Sequence, residues 1–250
     1  MTDRLDLLVE EGARFLAAVE RGEPGAAVPS CPDWALRDLV HHTGGVHRWA
    51  TRIVNERRTE HLDEELEAIA GGWPADEDLG PWFRAGHALL CDALRAAPED
   101  AEMFAFLRGS PTARDFWIRR QLHETTIHRV DAELAAGAGA VTPVDAEHAV
   151  DGIDEMLTGF LPRRGTRLRP ASTKTICVDP TDAAEAWLVT AGPDGATTER
   201  AAGDADVVVR GPAADLYLLV WNRGDVDGLD VSGDASLLDL WRSSVTIRWS

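Results

Sequence analysis

Apolar residues recur at helical spacing through the first two thirds of the chain, and this pattern most restricts the fold. In the first segment one helix face carries five apolar residues: Leu5, Leu8, Val9, Leu16 and Val19. The pattern ends at Gly22 and Pro24. Later segments predict a helix with Asp33 as its N-cap, then helices over 82–96, from 111 or 112 to about 136, and over 144–161. Antiparallel helices with modest connections predict a mainly α fold, an up-and-down four-helix bundle with extensions.

The pattern changes after the Arg- and Pro-rich stretch 162–170. Short runs with alternating or β-branched character predict strands over 173–178, 187–190 and 205–210. A Pro-Asp-Gly turn signal at 193–195 is placed to join two strands, and helices are predicted over 212–221 and 235–243. We therefore predict a bundle over 1–165 and a small α+β domain over 171–250, with the Arg- and Pro-rich stretch as the linker.

Charge and cysteine content exclude several classes of function. The chain of 250 residues has 25 Lys and Arg against 43 Asp and Glu, a formal charge of −18, which disfavours binding to nucleic acid or to an anionic membrane surface. Cys31, Cys91 and Cys177 lie far apart, so they indicate neither a disulfide framework nor a thiolate zinc site. The first residues are acidic where a signal peptide needs a basic region, and no apolar run approaches the length of a membrane span, so we expect a cytoplasmic protein.

The stretch QLHETTIHRVDAE contains the strongest chemical signal. Glu124 and His128 are four residues apart on a predicted helix, so both side chains lie on one face. A carboxylate and an imidazole are ordinary ligands for zinc or another divalent ion. His123 and His128 are five apart, which excludes the zincin signature H-E-x-x-H. A lone Glu and His on an Arg-rich helix more often belong to a solvated face than to a metal site. A metal site therefore requires a third ligand from elsewhere in the chain.

The second helix offers three histidines as that ligand: His41, His42 and His47. On a helical wheel His47 lies nearest the centre of the apolar stripe, His42 lies towards its edge, and His41 points away. Periodicity alone therefore favours His47.

Longer stretches of the chain resemble a known family. The segments CPDWALRDLVHHTGGVHRWA and HETTIHRVDAELAAG are similar to those of the mycothiol-dependent maleylpyruvate isomerase family, which belongs to the DinB-like metal-binding helical proteins. The tail ADVVVRGPAADLYLLVWNRGD resembles the small C-terminal domain of the same family, which is sterol-carrier-like in shape. The resemblance covers nearly the whole chain and implies a DinB-like bundle followed by that domain.

The resemblance also implies a ligand set. In the family a histidine eight residues after the tryptophan joins the Glu and His of E-x-x-x-H on zinc, which by position implies His42, Glu124 and His128, with His47 as the alternative to His42. Three protein ligands leave an open position, the arrangement of a catalytic zinc. The family places an arginine over the site, and Arg223 is the matching candidate for holding an anionic group of the substrate.

Three further residues are candidates for supporting that site. Asp38, four residues before His42, and Asp131, three after His128, are each within reach of a ligand imidazole or of a surface arginine. A surface salt bridge is the expectation for Asp131. Arg120, one turn before Glu124, is predicted either to pair with it or to face the substrate.

The resemblance implies a zinc- and mycothiol-dependent enzyme, a monomer or weak dimer, whose partners are a low-molecular-weight thiol and an electrophilic small molecule. In the isomerase the metal-activated thiolate adds to a conjugated cis double bond, the resulting single bond rotates, and the thiol leaves a trans product. In transferase relatives the thiol stays attached. The rival hypothesis is a non-catalytic, metal-stabilised small-molecule or lipid-binding protein.

Overall fold

The computed structural model of the chain describes residues 3–137, 139, 141–163 and 167–245. Its internal contacts divide the chain into two compact units, unit 1 (Met1–Thr142) and unit 2 (Pro143–Ser250). Residues 164–166, within the predicted linker, lie outside the described residues. Within these ranges, every helix is too short or too polar to cross a bilayer.

Unit 1 is helical. Its helices are α1 (Arg4–Arg21), α2 (Leu36–Glu56), α3 (Leu66–Ala70), α4 (Leu79–Ala96) and α5 (Ala113–Ala135). Helix α1 packs on α4 and α5, and α2 packs on the same two helices. This arrangement confirms the predicted helical bundle. The short helix α3 was not predicted and lies in the connection between α2 and α4.

Helix α2 begins later than predicted. Its N-cap is Ala35 instead of Asp33, because Ala35 has an extended backbone (φ −92°, ψ 168°) and forms an isolated β-bridge with Ala27, whereas residues 32 and 33 form a turn before it. The Asp38 side chain accepts a hydrogen bond of 2.8 Å from the Ala35 amide. The carboxylate of Asp38 is therefore used to satisfy a free donor at the start of the helix.

The interior of unit 1 combines an apolar cluster with close contacts at glycine. Phe15 of α1 and Phe83 of α4 meet with ring centroids 4.4 Å apart inside a cluster of buried apolar side chains. A Cβ built on Gly44 of α2 would lie 2.1 Å from the Trp82 ring. The absence of a side chain at Gly44 therefore lets the indole lie directly on α2.

Helix α5 is buried around most of its circumference. Its buried residues include seven ionisable ones: Arg120, His123, Glu124, His128, Arg129, Asp131 and Glu133. The alternative interpretation of Glu124 and His128 as part of a solvated face is therefore excluded. Arg129, fully buried, donates to Glu11 of α1 at 2.9 Å and to Glu133 at 3.0 Å, so neighbouring charges compensate the burial of its own.

Unit 2 combines a sheet with helices. Its elements are α6 (Ala146–Asp154), a π-helical turn (Glu155–Phe160), β1 (Lys174–Pro180), β2 (Trp187–Gly192), β3 (Gly195–Glu199), β4 (Val207–Gly211), α7 (Ala213–Val220), β5 (Asp230–Gly233) and α8 (Ser236–Ser244). The strand order is β3-β2-β1-β4-β5, with β1 and β4 parallel and the other neighbours antiparallel. The predicted turn at 193–195 joins β2 and β3, and the predicted α+β class is confirmed.

The helix predicted over 144–161 forms α6 and the π-helical turn, and its contacts lie with unit 2. Helix α6 packs on α7, and the indole N–H of Trp221 donates to the carbonyl of Gly152 at 3.0 Å. The division by contacts therefore assigns this helix to the sheet unit, whereas the sequence-based division assigns it to the bundle. The difference arises because contacts between residues about seventy apart are invisible in local patterns.

The contact between Gly44 and Trp82 predicts a stability defect. We expect Gly44→Ala to lower the free energy of unfolding by about 1–3 kcal/mol. The indole has little freedom to move, since the Arg48 guanidinium lies 3.8 Å from the ring centroid and donates to the Trp82 carbonyl at 2.7 Å. Urea denaturation measures the change. Gly25→Ala is the matched control, because its Cβ would lie 3.7 Å from its nearest neighbour; equal stability of the two variants would contradict the prediction.

Candidate metal centre

Two helices of unit 1 bring three metal-ligand side chains together. Glu124 and His128 lie one turn apart on α5, and His42 comes from α2. The Nε2 atoms of His42 and His128 each lie 3.2 Å from the same carboxylate oxygen, Glu124 Oε1. The ligand atoms all lie within 4.8 Å of one another, and among the described residues this is the one group of three such side chains.

The second oxygen of Glu124 has a different partner. Arg120, one turn earlier on α5 and buried, donates from Nη2 to Glu124 Oε2 at 2.9 Å. Of the two predicted roles for Arg120, the structure shows the pair with Glu124. One oxygen of the carboxylate thus faces the imidazoles while the other is held by a guanidinium.

The charges of the group are set by burial and by these contacts. Burial favours the neutral acid of Glu124, but the hydrogen bonds from His128 and His42 outweigh it and hold the pKa of Glu124 well below its usual value. Burial lowers the pKa of His42 despite its bond to Glu124. Burial opposes protonation of His128 as well, but Asp131 and Glu124 outweigh it and raise the pKa of His128. The site therefore presents an ionised carboxylate beside two imidazoles of unequal basicity.

Asp131 supports one of these imidazoles. It is fully buried, and its Oδ2 lies 2.9 Å from Nδ1 of His128. The expectation of a surface salt bridge for Asp131 is therefore wrong, because α5 turns this face to the interior. Ser30, from the loop before α2, donates its hydroxyl to Asp131 Oδ1. Sequence reasoning missed Ser30, since 101 residues separate it from its partner.

Trp34 lies against the same imidazoles. Its ring centroid is 4.9 Å from that of His42 and 6.3 Å from that of His128, and the side chain is half-buried. Trp49 and Trp117 contact each other 5.2 Å apart and are buried in the core. Of these three tryptophans, Trp34 is therefore the one that forms a wall beside the ligand group.

The other histidines of α2 lie elsewhere. His47 is fully buried, and its Nε2 lies 3.0 Å from Thr125 Oγ1, while its ring faces His87 with centroids 5.1 Å apart. His41 stacks on Trp73 at 4.9 Å. The structure thus brings His42 to Glu124, and the periodicity argument for His47 identified a core position instead. The carboxylate of Asp38 accepts the hydrogen bond from the Ala35 amide at the start of α2, so Asp38 is not the partner of His42.

Arg223 lies in unit 2, directly after α7. Its amide donates to the carbonyl of Leu218 at 2.7 Å, and its Nη1 donates to the carbonyl of Trp221 at 2.9 Å. Asn222 before it has a positive φ of 59°, which completes the turn. The role of Arg223 towards the ligand group stays a prediction.

Comparison with family models identifies both parts of the chain. Residues 5–133 match the mycothiol maleylpyruvate isomerase N-terminal domain, and residues 147–240 match the MDMPI C-terminal domain. A search of curated proteins found no match.

Solved structures give the same picture of the fold. The crystal structure of the mycothiol-dependent maleylpyruvate isomerase has a TM-score of 0.64 at 18% identity, over 92% of this chain and 91% of that one. A histidine-to-alanine mutant of that enzyme gives 0.62 at 17% identity, over 92% and 91%. At such identities the likeness shows a shared fold. A ubiquinone synthesis protein, UbiJ-SCP2, has a TM-score of 0.27 at 20% identity, over 41% of this chain and 94% of that one, which supports no argument about the fold.

The ligand geometry predicts different consequences for two histidine variants. We expect His42→Ala to lose most of its bound metal, because two donors would remain of a three-donor group. His47→Ala should keep its metal and lose stability through the cavity it leaves. Elemental analysis of the purified variants, beside urea denaturation, measures both properties. Metal lost from the His47 variant and kept by the His42 variant would reverse the assignment.

The buried imidazole of His87 predicts a pH dependence of stability. Burial lowers the pKa of His87 from 6.5 to about 4, so the unfolded chain binds a proton in this interval that the folded chain does not. Stability is therefore lost as the pH falls through 6.5, by roughly 2 kcal/mol between pH 7.5 and pH 5 from this group.

Replacing the imidazole tests this linkage. In urea titrations with a chelator present, His87→Leu should show a weaker loss of stability on acidification than the native chain. His61→Gln, at a half-exposed histidine, is the control and should keep the native pH dependence. An unchanged slope in the His87 variant would show that another group causes the acid sensitivity.

Proposed function

The chain belongs to the mycothiol maleylpyruvate isomerase family, and from that membership we propose that it is a metal- and mycothiol-dependent enzyme that isomerises a cis double bond in an electrophilic, anionic small molecule. The observation that carries the proposal is the convergence of His42, Glu124 and His128 in a largely buried group of zinc-ligand types. Two imidazoles and one carboxylate suit zinc, and three protein donors leave a position for a thiol sulfur.

The chemistry of the bound groups follows from general principles. When bound, zinc acts as a Lewis acid that lowers the pKa of a coordinated thiol, and the thiolate is the nucleophile of the reaction. Our proposal assigns His42, Glu124 and His128 the task of holding the ion. Arg120 keeps one oxygen of Glu124 occupied, so the other is directed at the imidazoles.

Two further residues have proposed roles. Trp34, half-buried against both imidazoles, provides an apolar wall that excludes water from one side of the group. Arg223 is proposed to bind a carboxylate of the substrate, for which a planar guanidinium offers paired donors. The thiol can lose its proton to solvent or to a neighbouring carboxylate, so the proposal assigns no residue as a dedicated general base.

The test is a thiol-dependent isomerase assay on the zinc-loaded protein with maleylpyruvate and mycothiol. We expect turnover to require both the thiol and the metal, and a chelator to abolish it while the far-ultraviolet circular dichroism stays unchanged. A stable thiol adduct in place of the trans product would indicate S-transfer instead. Binding of an apolar ligand with no effect of metal or thiol would favour the non-catalytic binding protein.

Arg223 has its own prediction. Arg223→Met should raise KM about 10-fold or more and leave the zinc content unchanged, because a charge-assisted hydrogen bond to the substrate is lost. Arg210→Met is the matched control, since Arg210 is an exposed arginine of the same unit that pairs with Asp179 at 2.8 Å. Loss of zinc from the Arg223 variant, or equal kinetics in the two variants, would contradict the assigned role.

A further inference from the structure

The two imidazoles of the ligand group are supported in different ways. His128 has a carboxylate behind it, with Asp131 Oδ2 at 2.9 Å from Nδ1. His42 has the indole of Trp34 beside it, while Asp38, the nearest acid before it in the sequence, accepts from the amide of Ala35. The structure therefore gives His128 an anionic hydrogen-bond partner and gives His42 an aromatic contact.

The contact with Asp131 determines which nitrogen of His128 is available. An ionised carboxylate only accepts hydrogen bonds, so its partner Nδ1 must carry the proton. Without a metal, Nε2 donates to Glu124 Oε1 at 3.2 Å, and a bound ion would take the place of that proton, so a proton kept on Nδ1 leaves Nε2 as the metal-binding atom. The orientation that Asp131 imposes is thus the one a metal ligand needs.

Asp131 is itself held from outside its helix. Its side chain is fully buried, and Ser30 donates to Oδ1, so the two oxygens are directed to different partners. A buried carboxylate without such donors pays a large desolvation penalty. The hydroxyl of Ser30 therefore holds the carboxylate of Asp131 in its orientation towards His128.

Ser30 and Trp34 belong to one hydrogen-bonded loop, residues 27–35, which we call the support loop. The amide of Cys31 donates to the carbonyl of Val28 at 3.0 Å, and the amide of Trp34 donates to the carbonyl of Cys31 at 2.8 Å. The amide of Val28 donates in turn to the carbonyl of Trp34 at 3.0 Å. The loop is therefore a closed turn that carries both the hydroxyl bound to Asp131 and the indole that lies on the imidazoles.

We infer that Ser30 and Asp131 are positioning residues of the metal centre, through which the support loop sets the tautomer and the donor strength of His128. This inference rests on the proposed metal-dependent function. A carboxylate behind a ligand histidine fixes the ring and increases its basicity, and loss of such a partner weakens metal binding by about 10- to 100-fold. The hydroxyl acts one bond further away, so its loss has a smaller effect.

The first experiment measures zinc affinity by competition with a chromogenic chelator. We expect Asp131→Asn to bind zinc about 10- to 100-fold more weakly than the native chain. Ser30→Ala should bind zinc about 5-fold more weakly, because one hydrogen bond is lost. Ser30→Thr keeps a hydroxyl and should restore most of the affinity. Asp38→Asn is the matched control: it alters an acid four residues from His42 that caps α2, and it should leave the affinity unchanged.

The second experiment observes the tautomer directly. Nitrogen-15 spectra of the histidine side chains in the metal-free protein, with His128 assigned from His128→Gln, should show a proton on Nδ1 of the native His128. In Asp131→Asn the signal should shift towards the Nε2-protonated form, because the amide group of Asn offers a donor to Nδ1. A purely structural role for Asp131 would change the thermal stability and leave the tautomer as it is.

The outcomes separate this inference from the proposed function. A folded Asp131→Asn variant with native zinc affinity, or a native His128 with no proton on Nδ1, would overturn the inference. If Asp131→Asn does not fold, the zinc affinities of Ser30→Ala and Ser30→Thr test the inference instead. Equal affinities of these two variants would overturn it as well. A native chain that binds no zinc would refute the proposed function, whereas the tautomer in the metal-free protein would still test the positioning role.

Discussion

Buried charge on α5 is the constraint on which the rest of unit 1 depends. The helix lies in the interior with ionisable side chains along its length, and an unpaired buried charge costs more than such a fold can tolerate. Each neighbouring element therefore supplies a partner. Helix α1 contributes Glu11 to Arg129, helix α2 contributes His42 to Glu124, and the support loop contributes Ser30 to Asp131. The elements of the bundle therefore pack in an arrangement that also pairs these buried charges.

The candidate metal centre is one part of that solution. The buried charge of Arg129 on α5 is paired by protein groups alone, since Arg129 contacts Glu11 and Glu133. At the level of Glu124, one carboxylate oxygen faces two imidazole nitrogens, an arrangement of donors that a divalent cation satisfies well. The same requirement for pairing that stabilises the bundle thus produces a group with the chemistry of a ligand site.

The sequence predicted much of this architecture correctly. The periodic apolar faces predicted the main helices of the bundle, and the turn signal at 193–195 marked the turn after β2, because both depend on neighbours in the chain, whereas β3 was not predicted as a strand. Its errors share one cause. Asp33 was expected to cap α2, and Asp131 was expected at the surface. Contacts formed on folding decide both outcomes: Ala35 bridges Ala27 before α2, and Ser30 lies against Asp131 inside the bundle, and the local pattern predicts neither contact.

The choice between His42 and His47 shows where the limit lies. The sequence by itself determined that an imidazole from α2 and the pair Glu124 and His128 were available, since spacing along a helix sets which side chains share a face. Tertiary structure decided which imidazole faces Glu124, because the centre of the apolar stripe, where His47 lies, is filled by the packed core, and His42 at the edge retains a polar surrounding. Tertiary structure also decided that Ser30 donates to Asp131, since a contact across 101 residues exists only once the helices have packed.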